Sequence, residues 1–212
     1  MPDIESSALG FLDTNLVFES PSEKESFIKQ TSQHSNHGCW LEIAGLLYTG
    51  IKGPANKSSA IAIWKQLADL DYADAHGPLG ELLIRGDDLQ LDLKSGIFHL
   101  DRAARLGRIG SARTLISIFK FGFEGLAADH EKALEYTKLA AELGDIEQML
   151  NLSIQLSEAP YFDSASAFHY ANLAAMAEDP RGHYNVGLNN QHFEATKHVI
   201  ARVDPYVSYE ES

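Results

Sequence analysis

One period constrains this chain more than any other feature: a residue that opens a helix recurs at near-constant spacing. These residues are Cys39, Ala75, Ser111, Gln148 and Gly182, so the steps are 36, 36, 37 and 34 residues. Four residues after each comes an apolar core position, at Ile43, Leu79, Leu115, Leu152 and Val186. Such a period predicts stacked supersecondary units, each of which buries its apolar face against its neighbours.

Within each period the apolar spacing is that of two helices, A and B, rather than of strands. Helix A is predicted to end at Gly50, Gly86 and Gly122, since glycine is preferred in a left-handed C-terminal cap. The B helices are predicted over Lys57–Leu70, Asp92–Leu106, Asp129–Leu143 and Asp163–Ala177. Their expected N-terminal capping residues are Ser58, Asp92 and Asp129. Small pairs inside helix B, such as Ala140-Ala141, allow two helix axes to approach closely.

The predicted organisation is one repeat domain between two acidic ends. Residues 1–21 form an acidic N-terminal arm, residues 22–203 the repeat domain, and residues 204–212 a tail. The domain begins with a polar capping helix over 22–34, followed by repeats near 37–72, 73–108, 109–145, 146–179 and 180–203. A last helix B is predicted over Gln191–Val203. The loop of the fourth repeat carries Pro160 and no helix-ending glycine, which predicts a different turn there.

The charge balance limits the classes of partner that the protein is expected to bind. The chain has 17 basic and 30 acidic residues, a net charge of −13. Much of this excess lies at the ends, which favours solubility and argues against nucleic acid or anionic lipid as the main partner. Cys39 is the sole cysteine, so no intramolecular disulfide or cysteine-based zinc site is predicted. No signal peptide or membrane span is recognised, which predicts a cytoplasmic protein, although removal of a leader would leave the same sequence.

These motifs resemble the Sel-one-like repeat family, a relative of the tetratricopeptide repeat. That family reads A-x-x-x-L-G-x-x-Y-x-x-G, then K-A-x-x-W/Y, then A-A-x-x-G. The best matches are Ala75–Gly86, Lys132–Gly144 and Gly182–Gly187. The resemblance implies an all-α fold, an αα-hairpin repeat solenoid of about four to five repeats. It further implies a right-handed superhelix whose concave face is lined by A helices.

The resemblance also implies a function. Relatives of this kind serve as adaptors or scaffolds, commonly in bacterial signalling and envelope-linked pathways, and catalysis and cofactors are not expected. The expected ligand is a protein or peptide of unknown identity, bound in the concave groove. Two alternatives stay open: a regulatory or catalytic-accessory domain that binds a metal or small metabolite, and self-association through exposed end repeats.

The repeat register places six candidate partner-binding residues on the concave face of that superhelix. They are Glu81, Arg85, Arg113, Ser117, Lys120 and Tyr184. Arg113 and Lys120 lie about two turns apart on one helix and could clamp a partner carboxylate. The competing interpretation is a solvated face without a ligand.

Histidines and aromatic residues give weaker signals. Of the nine histidines, His34 and His37 have i,i+3 spacing but straddle a predicted helix end, so we interpret them as turn or cap residues. His192 and His198 do not share a helix face. The sequence contains no G-x-S-x-G, P-loop or G-x-G-x-x-G motif, so no catalytic or metal-binding residue is predicted. Four aromatic residues are predicted to pack in the core: Trp40, Tyr48, Trp64 and Phe119.

Overall fold

The computed structural model describes residues 35–158, 161 and 163–203, and this part of the chain is helical. Its helices are α1 (Ser35–Thr49), α2 (Lys57–Asp69), α3 (Ala73–Arg85), α4 (Leu93–Arg105), α5 (Ile109–Phe121), α6 (His130–Glu142), α7 (Ile146–Gln155), α8 (Ser164–Met176) and α9 (Pro180–Val203). The odd-numbered helices are the predicted A helices and the even-numbered ones the predicted B helices. The predicted arm (1–21), capping helix (22–34) and tail (204–212) lie outside the described residues.

The B helices begin where a side chain can accept from the first free N–H groups of the helix. The carboxylates of Asp92, Asp129 and Asp163 each accept a hydrogen bond from the backbone N–H three residues on. Such caps satisfy donors that have no partner within the helix. The prediction of Ser58 as the cap of α2 is wrong, because Asn56 accepts from the Ser59 N–H at 3.2 Å. Because α2 begins at Lys57, Asn56 occupies the N-cap position and Ser58 lies inside the first turn.

Left-handed residues end most of the helices. Gly50, Gly86 and Gly122 have φ of 70°, 71° and 75° at the ends of the first three A helices, as predicted. The B helices end at Gly107 and Gly144, with φ of 101° and 97°. At the same register two non-glycine residues are left-handed, Asp71 (φ 67°) and Glu178 (φ 61°). A side chain in this conformation costs free energy that glycine avoids.

The chain divides into two compact units at residues 115 and 116, inside α5. We call the described residues 35–115 unit 1 and the described residues from 116 onwards unit 2. The core of unit 1 is built by α1, α2 and α3, with Ile43, Leu47 and Leu79 at most 1% exposed. Trp64 is buried there, while Trp40 and Tyr48 are partly buried against the same cluster.

A close approach of two helices dominates the rest of unit 1. A Cβ added at Gly80 of α3 would lie 2.7 Å from Leu100 Cγ, and one at Gly96 of α4 would lie 2.5 Å from Ile84 Cγ1. Both positions therefore require glycine, because the side chain of any other residue would collide with the facing helix. This contact also fixes α3 and α4 close enough for their polar side chains to meet.

Unit 2 repeats the same construction with different side chains. Phe119 and Tyr136 stack with ring centroids 5.6 Å apart, which joins α6 to the end of α5. The Ala140-Ala141 pair is fully buried, as the repeat pattern predicted. Between α7 and α9, the Asn185 amide donates to the Ser153 hydroxyl at 2.7 Å, and that hydroxyl donates to the Leu150 carbonyl.

The last helix differs from its prediction. The sequence predicted an A helix and then a separate helix B over Gln191–Val203, but α9 continues without interruption from Pro180 to Val203. No proline or left-handed residue occurs between Leu188 and Gln191, so the backbone has no reason to turn. The end of α7 does differ from the other A helices as predicted, because it closes at Leu156 in a right-handed conformation rather than at a glycine.

Candidate functional site

The structure brings together two histidines that the sequence analysis did not select. His76 on α3 is 3% exposed, and its Nδ1 lies 2.8 Å from Nδ1 of His99 on α4. The Nε2 atom of His76 lies 3.3 Å from the Asp71 carboxylate, and no closer partner occurs in the described part of the chain. Asp71 in turn binds the guanidinium of Arg102 through both carboxylate oxygens. These four residues, which we call the histidine relay, all belong to unit 1.

The hydrogen bonds of the relay assign its tautomers. Two neutral imidazole nitrogens 2.8 Å apart share one proton, so one donates and the other accepts. A proton on His76 Nε2 is favoured by the facing Asp71 carboxylate, which leaves Nδ1 of His76 as the acceptor. Nδ1 of His99 must then donate. The remaining ring nitrogen, Nε2 of His99, carries a lone pair and has no hydrogen-bond partner among the described residues.

The pKa values in the relay follow from burial and from the ion pair. Burial lowers the pKa of His76, partly opposed by the nearby Asp71 carboxylate. Burial and the neighbouring His76 lower the pKa of His99. The hydrogen bonds from Arg102, helped by the nearby His76 imidazole, hold the pKa of Asp71 below its ordinary value. Both imidazoles are therefore neutral at neutral pH, and the carboxylate is ionised.

A cleft of about 620 Å³ opens beside His99 in unit 1. Leucines form most of its wall, with four polar residues among them. The lining residues are Lys65, Leu79, Leu83, Leu89, Gln90, Leu91, Asp92, Leu93 and His99. This volume is within the range of roughly 300–1,000 Å³ that is usual for small-molecule sites.

A smaller cavity lies in unit 2. Its volume is about 270 Å³, and its lining includes Ser164, Ala165, Phe168, Asn189 and Asn190. Asn189 is 6% exposed, and its Nδ2 atom has no hydrogen-bond partner among the residues that the structure describes. One turn earlier on α9, the amide of Asn185 is satisfied by Ser153. A buried amide donor without an acceptor is unusual in a folded protein, so Asn189 is a candidate contact for a ligand.

The six residues predicted from the register are placed as follows. Glu81 and Arg85 are exposed on α3 and lie 3.8 Å apart, and Arg85 is also 3.9 Å from Asp87. Arg113 is exposed on the part of α5 in unit 1. In unit 2, Ser117 and Lys120 are exposed on α5, and Tyr184 is 68% exposed on α9. All six are accessible, and their joint role as a binding face stays a prediction.

The described residues give little support to the hypothesis that the protein binds a metal. His34 and the side chains of His37, His192 and His198 lie outside them. Within them no group of three or more His, Cys, Asp or Glu side chains could hold a metal ion. The Nδ1 atoms of His76 and His99 already share a proton, so these two atoms could bind a metal together only if that hydrogen bond were broken.

A signal for the relay exists in the sequence, in departures from the repeat. His99 occupies the register of Tyr136 and Tyr170, and Asp71 occupies that of Gly107 and Gly144. Histidines at helical spacing are recognisable in a sequence, whereas this pair is 23 residues apart and meets across two helices. The register alone does not show that His76 faces His99.

Comparison with known proteins identifies the fold. No protein-family model matches the chain. An uncharacterized protein of Neisseria meningitidis serogroup B is 31% identical over 93 residues, which are 44% of this chain and 20% of that protein. The chain thus corresponds to only about a fifth of that relative's length.

Two crystal structures are similar in fold. A Sel1 repeat protein from Oxalobacter formigenes has a TM-score of 0.59 at 19% identity, covering 84% of this chain and 74% of that one. A protective antigen of uropathogenic Escherichia coli strains displaying an SLR fold has a TM-score of 0.58 at 19% identity, covering 88% of this chain and 41% of that one. The chain is therefore an all-α protein of repeated αα-hairpins. Its fold is the Sel1-like repeat (SLR) fold, which confirms the fold class and the resemblance inferred from the sequence.

The helices also bear on membrane insertion. Within residues 35–158 and 163–203, no helix is both long enough and apolar enough to cross a membrane.

Proposed function

We propose that the protein is an adaptor that binds a segment of a partner protein on its helical repeats, without catalysis of its own. The observation that carries this proposal is the buried Asn189 amide, which lines the cavity in unit 2 beside the partly exposed Phe168. A buried donor without a partner costs about 1–3 kcal/mol. A carbonyl oxygen from a bound peptide would remove that cost, while an apolar side chain of the peptide could contact Phe168.

The proposal includes the six residues of the predicted binding face. Glu81, Arg85, Arg113, Ser117, Lys120 and Tyr184 are proposed as partner contacts. Exposed aromatic residues are enriched at protein interfaces, and beside this set Phe121 is 73% exposed. The cytoplasmic location and a role in bacterial signalling or envelope-linked assembly belong to the proposal as well. Self-association through end repeats is a competing outcome that light scattering over a concentration series would detect.

The first experiment captures the partner. A photo-crosslinking amino acid in place of Tyr184, and separately in place of Lys120, should crosslink one defined protein in cell extract. The matched control carries the same group in place of Lys138, which is exposed on the B helix α6. Equal capture from all three positions would contradict a binding face on the A helices.

The second experiment measures affinity for the captured partner. Arg113→Glu combined with Lys120→Glu should weaken binding by about tenfold or more, since charge-assisted hydrogen bonds to the partner are lost. Lys94→Glu combined with Lys138→Glu makes the same change of charge on B helices and should leave the affinity within about twofold. The adaptor face would be wrong if the B-helix variant lost affinity and the A-helix variant kept it.

The cavity in unit 2 has a test of its own. Asn189→Leu removes the buried amide and replaces it with an apolar side chain of similar size. The free protein should then become more stable, because the unsatisfied donor is gone, while partner binding weakens. If the variant is stabilised and still binds the partner at full affinity, Asn189 is not part of the interface.

A further inference from the structure

The cleft beside His99 has a polar arrangement that distinguishes it from an ordinary surface groove. The Asp92 carboxylate in its lining caps α4, since it accepts from the Ser95 N–H at 3.0 Å and from the Ser95 hydroxyl at 2.6 Å, and the helix N-terminus partly offsets its negative charge. The other polar side chains of the lining are those of Lys65, Gln90 and His99, and Lys65 is the positively charged one among them. The leucines between them form an apolar wall.

The histidine relay decides what His99 offers to a ligand. Nδ1 of His99 lies 2.8 Å from Nδ1 of His76, so Nε2 is the ring nitrogen of His99 that remains for a ligand. In the neutral relay that nitrogen has no proton and can only accept a hydrogen bond. A complementary ligand therefore presents an N–H or O–H donor to His99, an anion to Lys65, and an aliphatic group to the leucines.

We propose that this cleft binds an N-acylated aliphatic amino acid, with its amide N–H donated to His99, its carboxylate paired with Lys65, and its side chain packed on the leucine wall. These three groups are the smallest set that matches the donor, charge and apolar surfaces together. The same chemistry occurs in a free N-acyl amino acid and at the C-terminus of a peptide that ends in an aliphatic residue. The site does not depend on the adaptor proposal, because its residues and its test are separate.

The relay also makes the site sensitive to acid. A proton added to His76 places N–H groups on both of its nitrogens, so that its Nδ1 donates to His99 and the proton of His99 moves to Nε2. His99 then changes from acceptor to donor toward the cleft. The charged groups that face the pair are Asp69 of α2, Asp71 of the following turn, and Arg102 of α4. Binding of an N–H donor should thus weaken as the pH falls through the titration of the pair.

The test is a titration of the full chain with N-acetyl-leucine, followed by the methyl NMR signals of the leucines. At neutral pH, Leu79, Leu83 and Leu89 should shift, while leucines of unit 2 should not. The His99→Phe and Lys65→Met variants should each bind about tenfold more weakly, as expected for loss of a charge-assisted or well-oriented hydrogen bond. Matched controls are His169→Phe and Lys94→Met, which alter exposed residues outside the cleft.

The probes separate the sources and the alternatives. Tighter binding of a peptide that ends in leucine identifies a peptide C-terminus as the ligand, and equal or weaker binding identifies the free N-acyl amino acid. Three results would overturn the proposal: equal binding of N-acetyl-leucine amide, full affinity of either cleft variant, or stronger binding at acidic pH. Lys65 is a surface residue, so Lys65→Met tests the site even if His99→Phe disturbs packing. Partner crosslinking plays no part in these results, and either experiment can fail alone.

Discussion

Units 1 and 2 use the same repeat register for different purposes. In unit 2 the aromatic position of helix B holds Tyr136 and Tyr170, and both are buried. In unit 1 that position holds His99, which makes a polar contact to His76 on the neighbouring helix. The helix-ending position varies within both units, since it holds Asp71 and Gly107 in unit 1 and Gly144 and Glu178 in unit 2. The repeat pattern maintains the fold in both units. Unit 1 departs from that pattern at His99, which takes part in a polar contact.

The largest expected effect tests what the units have in common. Ala140→Arg in unit 2 and Ala103→Arg in unit 1 place a charged side chain at fully buried positions of the same register. Each should cost about 3 kcal/mol or more through overpacking and burial of charge. Urea unfolding followed by circular dichroism measures the loss, with Lys138→Arg as an exposed control. An unchanged unfolding midpoint for either variant would mean that the register is misplaced in that unit.

A smaller effect is expected from a buried hydrogen bond of unit 2. Ser153→Ala removes the acceptor of the Asn185 amide, which is itself 6% exposed. The unpaired amide should cost about 1–3 kcal/mol in the free energy of unfolding. Asn185→Leu combined with Ser153→Ala should recover part of that loss, because no buried donor is then left. A double variant as unstable as Ser153→Ala alone would show that packing, not the hydrogen bond, sets the cost.

Lower pH should separate the two units. The pKa values of His76 and His99 are lowered in the folded chain, so the unfolded chain takes up protons first as the pH falls. The free energy of unfolding is therefore unaffected by these histidines above about pH 6.5 and decreases as the pH falls below that value. The total decrease for each histidine is about 1.4 kcal/mol for each unit by which folding lowers its pKa. Hydrogen exchange, corrected for intrinsic rates, should show protection of α3 and α4 declining between pH 7 and 5.

The same experiment has a reference within the molecule. Protection of α6 and α7 should change less over this range, since the described part of unit 2 has no buried histidine pair. If α3 and α4 kept their protection at pH 5, the two imidazoles would not be held neutral by burial.

The smallest effect concerns the helix-ending residues. Glu178→Gly should stabilise the protein by about 0.5–1 kcal/mol. Glycine adopts the left-handed conformation without the steric cost that a side chain adds, and the greater entropy of glycine in the unfolded chain offsets part of that gain. Asp71→Gly relieves the same backbone cost but removes the contacts to Arg102 and His76, so it should stabilise less than Glu178→Gly. Thermal unfolding of the two variants compares them directly. Equal gains would show that the Asp71 contacts contribute nothing to folding.

The sequence predicted the fold well because the repeat is a local and redundant signal. Each B helix began and ended within about two residues of its prediction, since an Asn or Asp cap and a left-handed residue mark its ends. The predicted start of a separate helix at Gln191 was wrong, because the repeat pattern was continued into a segment that has no turn signal. The candidate site was harder to predict. The contact of His76 with His99 depends on the close approach at Gly80 and Gly96, which is a property of packing and not of spacing.

The central claim is that unit 1 holds an imidazole whose free nitrogen accepts hydrogen bonds at neutral pH. Long-range ¹H–¹⁵N NMR correlations of the histidine rings, recorded on the full chain near pH 7.5, report the tautomer of each ring. We predict a proton on Nε2 of His76 and on Nδ1 of His99, with Asp71→Asn weakening this preference. A proton on Nε2 of His99 at that pH would contradict the relay and the ligand chemistry inferred from it.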